Sequence, residues 1–173
     1  MSITRITRFA NIILVLTMSA AWTARADAPD SCKFLTPAIV STALGKPVTG
    51  GTVSMVDHSG ASMSSCTYRA GMTLVLLSVD ERGTAAAAMK EYNSQLADSR
   101  GRDTEKKGSP DEQKTVLEPG IGEGAFADDM TNGSVLALTA VHGSRIFQVG
   151  IVGASSIPHE RVRNLMQTAV SRN

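Results

Sequence analysis

EPGIGEGAF, residues 118–126, holds Gly120, Gly122 and Ala125 at the G-x-G-x-x-G/A spacing of a dinucleotide-binding turn. Whether it cradles a phosphate or only turns the chain decides between a parallel, doubly wound sheet and an antiparallel one. A phosphate cradle requires a strand before the glycines, a helix opening inside them, and an acidic residue about 20 positions on. Here Pro119 precedes the glycines, and Glu123 puts a negative charge where phosphate would sit. Asn132-Gly133, the preferred type I′ pair, then starts a hairpin where a helix should continue. The stretch reads as a structural corner, whose glycines adopt positive φ and let the chain turn into the next strand.

On either side of this corner the chain alternates hairpins and helices. Downstream, 134–142 and 145–152 form strands about Gly143-Ser144, and a last helix carries Val162, Leu165, Met166, Ala169 and Val170 on one stripe. Upstream, 66–69 and 72–79 flank Ala70-Gly71 as a second hairpin, and Thr84 opens a helix on which Ala85, Met89, Tyr92 and Leu96 recur. Gly71 to Thr84 and Gly143 to Ser156 are both 13 residues, which suggests an internal strand-strand-helix repeat. Nearer the start, Thr36 as cap, Pro37 at the first helical position and Gly45 after the last apolar residue mark a helix over 37–44. A strand over 48–56 follows, then a polar loop, DHSGASMSS, at 57–65. Residues 98–114 carry five basic and five acidic side chains and no large apolar one, which reads as a charged, solvated loop before a short strand at 115–117. Together these elements predict an α+β fold, an antiparallel sheet with packed helices, as a single domain over 27–173.

The N-terminus reads as a cleaved signal peptide over 1–26: a basic start, an uncharged run from Phe9 to Ala24, and Ala24-Arg25-Ala26 before the mature chain. A retained anchor is the alternative, but the run is shorter than the roughly 20 apolar residues that span a bilayer. Cys32 lacks the apolar and small-residue run that a lipid-attachment cysteine requires, since Pro29-Asp30-Ser31 precedes it. With export, Cys32 and Cys66 pair most simply as a disulfide, two free thiols being the alternative. Loss of Arg5, Arg8 and Arg25 takes the formal charge from +1 to −2, so neither nucleic acid nor an anionic membrane has an electrostatic claim on the chain. The mature aromatics are Phe34, Tyr68, Tyr92, Phe126 and Phe147, too few for a platform that stacks sugars or bases.

Sequence motifs for catalysis are incomplete. HERVR at 159–163 begins like a zinc-protease helix, but Arg163 stands where the second histidine ligand belongs. Asp57-His58, Asp128-Asp129 and His142 would make a metal site only if the fold gathered them. Ser59, Ser62, Ser64 and Ser65 crowd a stretch near His58, yet neither G-x-S-x-G nor S-x-x-K occurs in the mature chain. Asn132-Gly133-Ser134 matches a glycosylation acceptor, although turn geometry explains its Asn-Gly fully. No catalytic, cofactor-binding or metal-ligating residue is assigned, and no cofactor is expected.

Set in order, the pieces resemble small bacterial secreted and lipoprotein envelope domains with a PsbP-like sandwich. The residues that carry this are Leu35-Thr36-Pro37 with Val40 and Leu44-Gly45, Cys66-Thr67-Tyr68, and Gly120 to Ala125 with the closing hairpin and helix. The resemblance implies an α+β sandwich in the cell envelope without established catalytic residues. The expected protein is a periplasmic or secreted one that binds an envelope protein or a small apolar ligand between sheet and helices. Methionines 55, 63, 72, 89, 130 and 166 are candidates to line that groove or to fill the core. A metal-dependent or hydrolytic envelope enzyme is the alternative.

Overall fold

The computed structural model describes residues 29–58, 61–105, 107–108, 112–130, 135–153 and 157–173. The segment 1–26, read as a signal peptide, and Asn132-Gly133, read as a hairpin turn, lie outside them. A short 3-10 turn (Ser31–Lys33) leads to α1 (Pro37–Leu44), β1 (Thr49–His58), β2 (Ala61–Ala70), β3 (Thr73–Glu81) and α2 (Ala85–Glu105). β4 (Gln113–Leu117), β5 (Gly124–Met130), β6 (Val135–His142), β7 (Arg145–Val152) and α3 (His159–Ser171) follow. The strands make one antiparallel sheet of seven, in the order β1-β2-β3-β7-β6-β5-β4. The fold is α+β, with one disulfide between Cys32 and Cys66 whose Cα atoms lie 5.1 Å apart. Among the described residues no helix is long and apolar enough to cross a membrane.

α1 forms where its end signals place it. The Thr36 hydroxyl accepts the Ile39 N–H, Pro37 opens the first turn, and Gly45 closes the helix at φ +66°. The Arg161 guanidinium donates to the Leu44 carbonyl at 3.1 Å, satisfying one of the carbonyls that a helix end leaves unpaired. Val40 and Leu44 are buried with Val162, Leu165, Met166 and Ala169 of α3, so the two helices share the front face of the sheet. Their floor is Val75, Leu77 and Val79 of β3 beside Phe147, Val149 and Ile151 of β7. The disulfide ties the 3-10 turn to Cys66 of β2, and Phe34 packs edge to face on Phe147 of that floor at 5.4 Å between centroids.

The internal repeat is real in the hairpins. Val75, Leu77 and Val79 recur 72 positions later as Phe147, Val149 and Ile151, the spacing that separates Gly71 from Gly143, and all six face the front core. Both hairpins turn through two residues, Gly71-Met72 and Gly143-Ser144. The helices break the repeat: α3 lies on the front, whereas α2 crosses to the back and covers β4, β6 and β7. There Ala88 and Tyr92, with Met89 and Leu96, pack on Phe126, Val141 and Ile146.

Two segments differ from the sequence reading. The charged loop at 98–114 is helical through Glu105 and extended from Gln113. The inward position that continues the stripe of Ala88 and Tyr92 is Ser99, a fully buried hydroxyl, so the helix goes on without any apolar residue to announce it. Of the polar stretch at 57–65, residues 57–58 and 61–65 belong to β1 and β2 rather than to a loop. Its inward positions, Ser62 and Ser64, are buried. The Ser64 hydroxyl accepts the Ser31 N–H at 3.1 Å and donates to the Pro29 carbonyl. Hydroxyl side chains, of which Ser64 holds the N-terminal segment, thus take the places where strand alternation would show apolar ones.

Candidate functional site

The glycine corner joins β4 to β5 across a tight antiparallel link, with the Glu118 N–H donating to the Ala125 carbonyl at 2.9 Å. Gly120 and Gly122 have φ of +78° and +55°. At Gly122 a Cβ would collide with the Val141 carbonyl, and at Gly124 it would lie 3.1 Å from the Tyr92 ring. The glycines thus serve positive φ and close packing, and a strand follows them, as the corner reading expects.

The corner still borders a cavity of about 490 Å3, closed on its other side by Gln167, Val170 and Ser171 of α3. What it offers there is acidic. The Glu123 carboxylate accepts the Gly143 N–H at 3.2 Å and faces His142 Nδ1 at 3.3 Å. Burial pushes the Glu123 carboxyl up, but the Gly143 N–H and the His142 ring outweigh it and hold the group below the ordinary carboxylate range. The last turn of α3 adds the negative end of a helix dipole. A phosphate would meet repulsion from both.

Glu118, first residue of the same stretch, is 8% exposed and carries a cluster absent from the sequence reading. Its carboxylate pairs with His159 Nε2 and Arg163 Nε, each at 3.2 Å, while Arg163 Nη2 donates to the Pro119 carbonyl at 2.7 Å. His159 is therefore half of a tie between α3 and the corner. The four-residue spacing of His159 and Arg163 puts both on one helix face, a signal visible in HERVR once the zinc motif is set aside.

A second hollow, about 580 Å3, runs between α1 and α3. Ala38, Ile39 and Ala43 form one wall, Leu165 and Thr168 the other, with Arg172 among the lining residues. It lies between two helices rather than between sheet and helices. Among the described residues, none of the candidate methionines lines it. Met166 is core, Met89 packs beneath α2, and Met55 and Met72 are 61% and 99% exposed.

The remaining candidates are dispersed. Asp128 lies under α2, where the Ser99 and Thr115 hydroxyls donate to it, opposite Ala137 of β6. His142 stands at the far end of that strand, beside the turn into β7. Asp57 and His58 end β1, and their side chains lie outside the described residues, as does Ser59. Among the described residues no three His, Cys, Asp or Glu side chains stand where they could hold a metal. Ser65 bonds Ser78 at 2.9 Å and Ser64 serves the N-terminal segment, so both hydroxyls have structural partners. No family model matches the chain, and no curated protein does. The site must be read from its own geometry.

Proposed function

We propose that the chain is a non-catalytic, exported envelope protein that binds a partner protein or a small apolar ligand, and that the α1–α3 hollow is where it binds. The observation that carries this reading is an open cavity of about 580 Å3 with alanine, isoleucine and leucine along its walls, within the size range of small-molecule sites. The Cys32–Cys66 disulfide supports an oxidising compartment, in keeping with the export signal read at 1–26. The likeness to PsbP-like envelope domains belongs to the same proposal.

The test is Ala38→Glu, which places a carboxylate on the exposed wall of the hollow without entering the core. Envelope extract lipids and short acyl carboxylates are screened by thermal shift against the mature protein and the variant. A ligand whose affinity falls about tenfold or more in Ala38→Glu, at unchanged unfolding midpoint, supports the hollow; tenfold is roughly 1.4 kcal/mol. A strong shift with a divalent metal alone would overturn the reading. Intact mass of the exported protein should show loss of residues 1–26 and of two hydrogens, and an uncleaved, reduced chain would remove its compartment.

A further inference from the structure

On the back of the sheet, away from the α1–α3 hollow, a smaller pocket of about 190 Å3 opens between α2 and the row formed by Phe126, Thr139 and Gln148. Its polar groups are unequally used. Thr139 is 6% exposed, lines the pocket, and its hydroxyl has no partner among the described residues. Asp98 lines it from α2 and has no partner there either. Asp128 commits one carboxylate oxygen to the Ser99 and Thr115 hydroxyls, and its other oxygen lies 3.9 Å from Arg102. Gln148 donates its amide to Gln95 at 3.0 Å, which leaves its own carbonyl free to accept.

A hydroxyl that opens into a pocket and has no protein partner is free to bond whatever enters. Here the groups that remain are mostly acceptors: the Asp98 carboxylate, the second Asp128 oxygen and the Gln148 carbonyl. Two carboxylates against the single Arg102 guanidinium leave the lining net negative. Phe126 adds an apolar contact. The complement is a small cation with several N–H donors and a short apolar body. The space is smaller than the usual drug-sized site and suits a short ligand.

We propose that the pocket beneath α2 binds a short alkylammonium ion, held by Asp98, Asp128 and the Thr139 hydroxyl. The probe is 1,4-butanediammonium, titrated calorimetrically into the mature, disulfide-bonded protein at fixed ionic strength, with magnesium chloride, sodium acetate and glycerol as comparators. The expected result is saturable binding of the diammonium alone, weakened about tenfold by Asp98→Asn and about fivefold by Thr139→Val. Asp98 is exposed on the helix, so Asp98→Asn keeps the fold and carries the test independently of the core substitution. Absence of saturable binding, binding that survives Asp98→Asn, or an equal response to magnesium or glycerol would overturn the proposal. Failure of the α1–α3 hollow to bind apolar ligands leaves this titration unaffected, because Ala38→Glu and Asp98→Asn lie on opposite faces of the sheet.

Discussion

At the scale of single residues, Gly122 shows how far a motif can mislead. Its φ of +55° and the Val141 carbonyl against its Cα explain why glycine stands there. Gly71, at φ +62°, has open space around its Cβ direction. Gly71→Ala should therefore cost about 1 kcal/mol for backbone strain, and Gly122→Ala distinctly more, read as the difference in urea unfolding midpoints. Equal losses would mean that the corner is loose. Glu81 provides a pH test. Burial raises its carboxyl pKa, but Ser144, Arg145 and the Gly83 N–H together hold it below the ordinary value. A lowered folded pKa means stability that is complete above about pH 4.5 and lost as pH falls through the folded value. Glu81→Gln leaves Arg145, bonded at 2.7 Å in the native chain, without its carboxylate. It should cost on the order of 1–2 kcal/mol at pH 7, and the difference from wild type should shrink toward pH 3. A difference independent of pH would show that the pair does not titrate as its geometry implies. Such pairs escaped the sequence reading because Glu81 and Arg145 are 64 positions apart, joined only by the pairing of β3 with β7.

Among the elements, those with local punctuation were legible and those held by long-range polar contacts were not. Thr36, Pro37 and Gly45 mark α1 to the residue, because capping is a local interaction. The last two turns of α2 are different. Ser99 accepts the Gln113 amide at 3.0 Å, and Asp103 accepts the Thr115 N–H at 2.9 Å. Those bonds attach the helix to an outer strand through polar side chains, so hydropathy over 98–105 shows only charge. They also leave the Thr115 N–H no longer free on an edge that would otherwise offer it to another chain. The 3-10 turn depends on a covalent tie. The disulfide closes 34 positions of sequence, and reduction should lower stability by about 2–4 kcal/mol. The measurement is denaturant unfolding with and without reductant, beside a Cys32→Ser, Cys66→Ser double variant. Unchanged midpoints would show that Phe34, Ser31 and Tyr68 hold the segment by themselves. Tyr68 does contribute, since its buried hydroxyl donates to the Leu35 carbonyl; burial and Asp30 push its pKa up to about 12.

For the whole molecule, the corner at 118–126 pointed away from a parallel, doubly wound sheet because Pro119 and Glu123 do not suit a phosphate cradle. The 72-position echo between hairpins extended that to two similar halves, but strand order was beyond reach. Nothing local states that β3 pairs with β7, or that α2 takes the back face. The candidate sites suffered most. Both hollows and the Glu118 cluster are made by elements far apart in sequence, and only the Cys32–Cys66 pair was legible beforehand. The seam between the halves should be the most protected part of the protein. Amide exchange should be slowest at Val75, Leu77, Val149 and Ile151, all fully buried at the centre of the sheet, and faster in the outer strands β1 and β4. Rapid exchange along β3 would contradict the strand order.

That seam also has a consequence in time. A chain that emerges N-terminus first can complete the β1–β2–β3 meander early, since all three strands lie before Arg82. The outer flank of β3 then waits for β7, whose Arg145 comes 64 residues after Glu81. At roughly 5–20 residues per second of synthesis, several seconds pass with a bare strand carrying Val75, Leu77 and Val79. The disulfide, which ties the 3-10 turn to β2, does nothing to shield that flank. The interval before the second half arrives is when this protein is most exposed to pairing with the wrong neighbour.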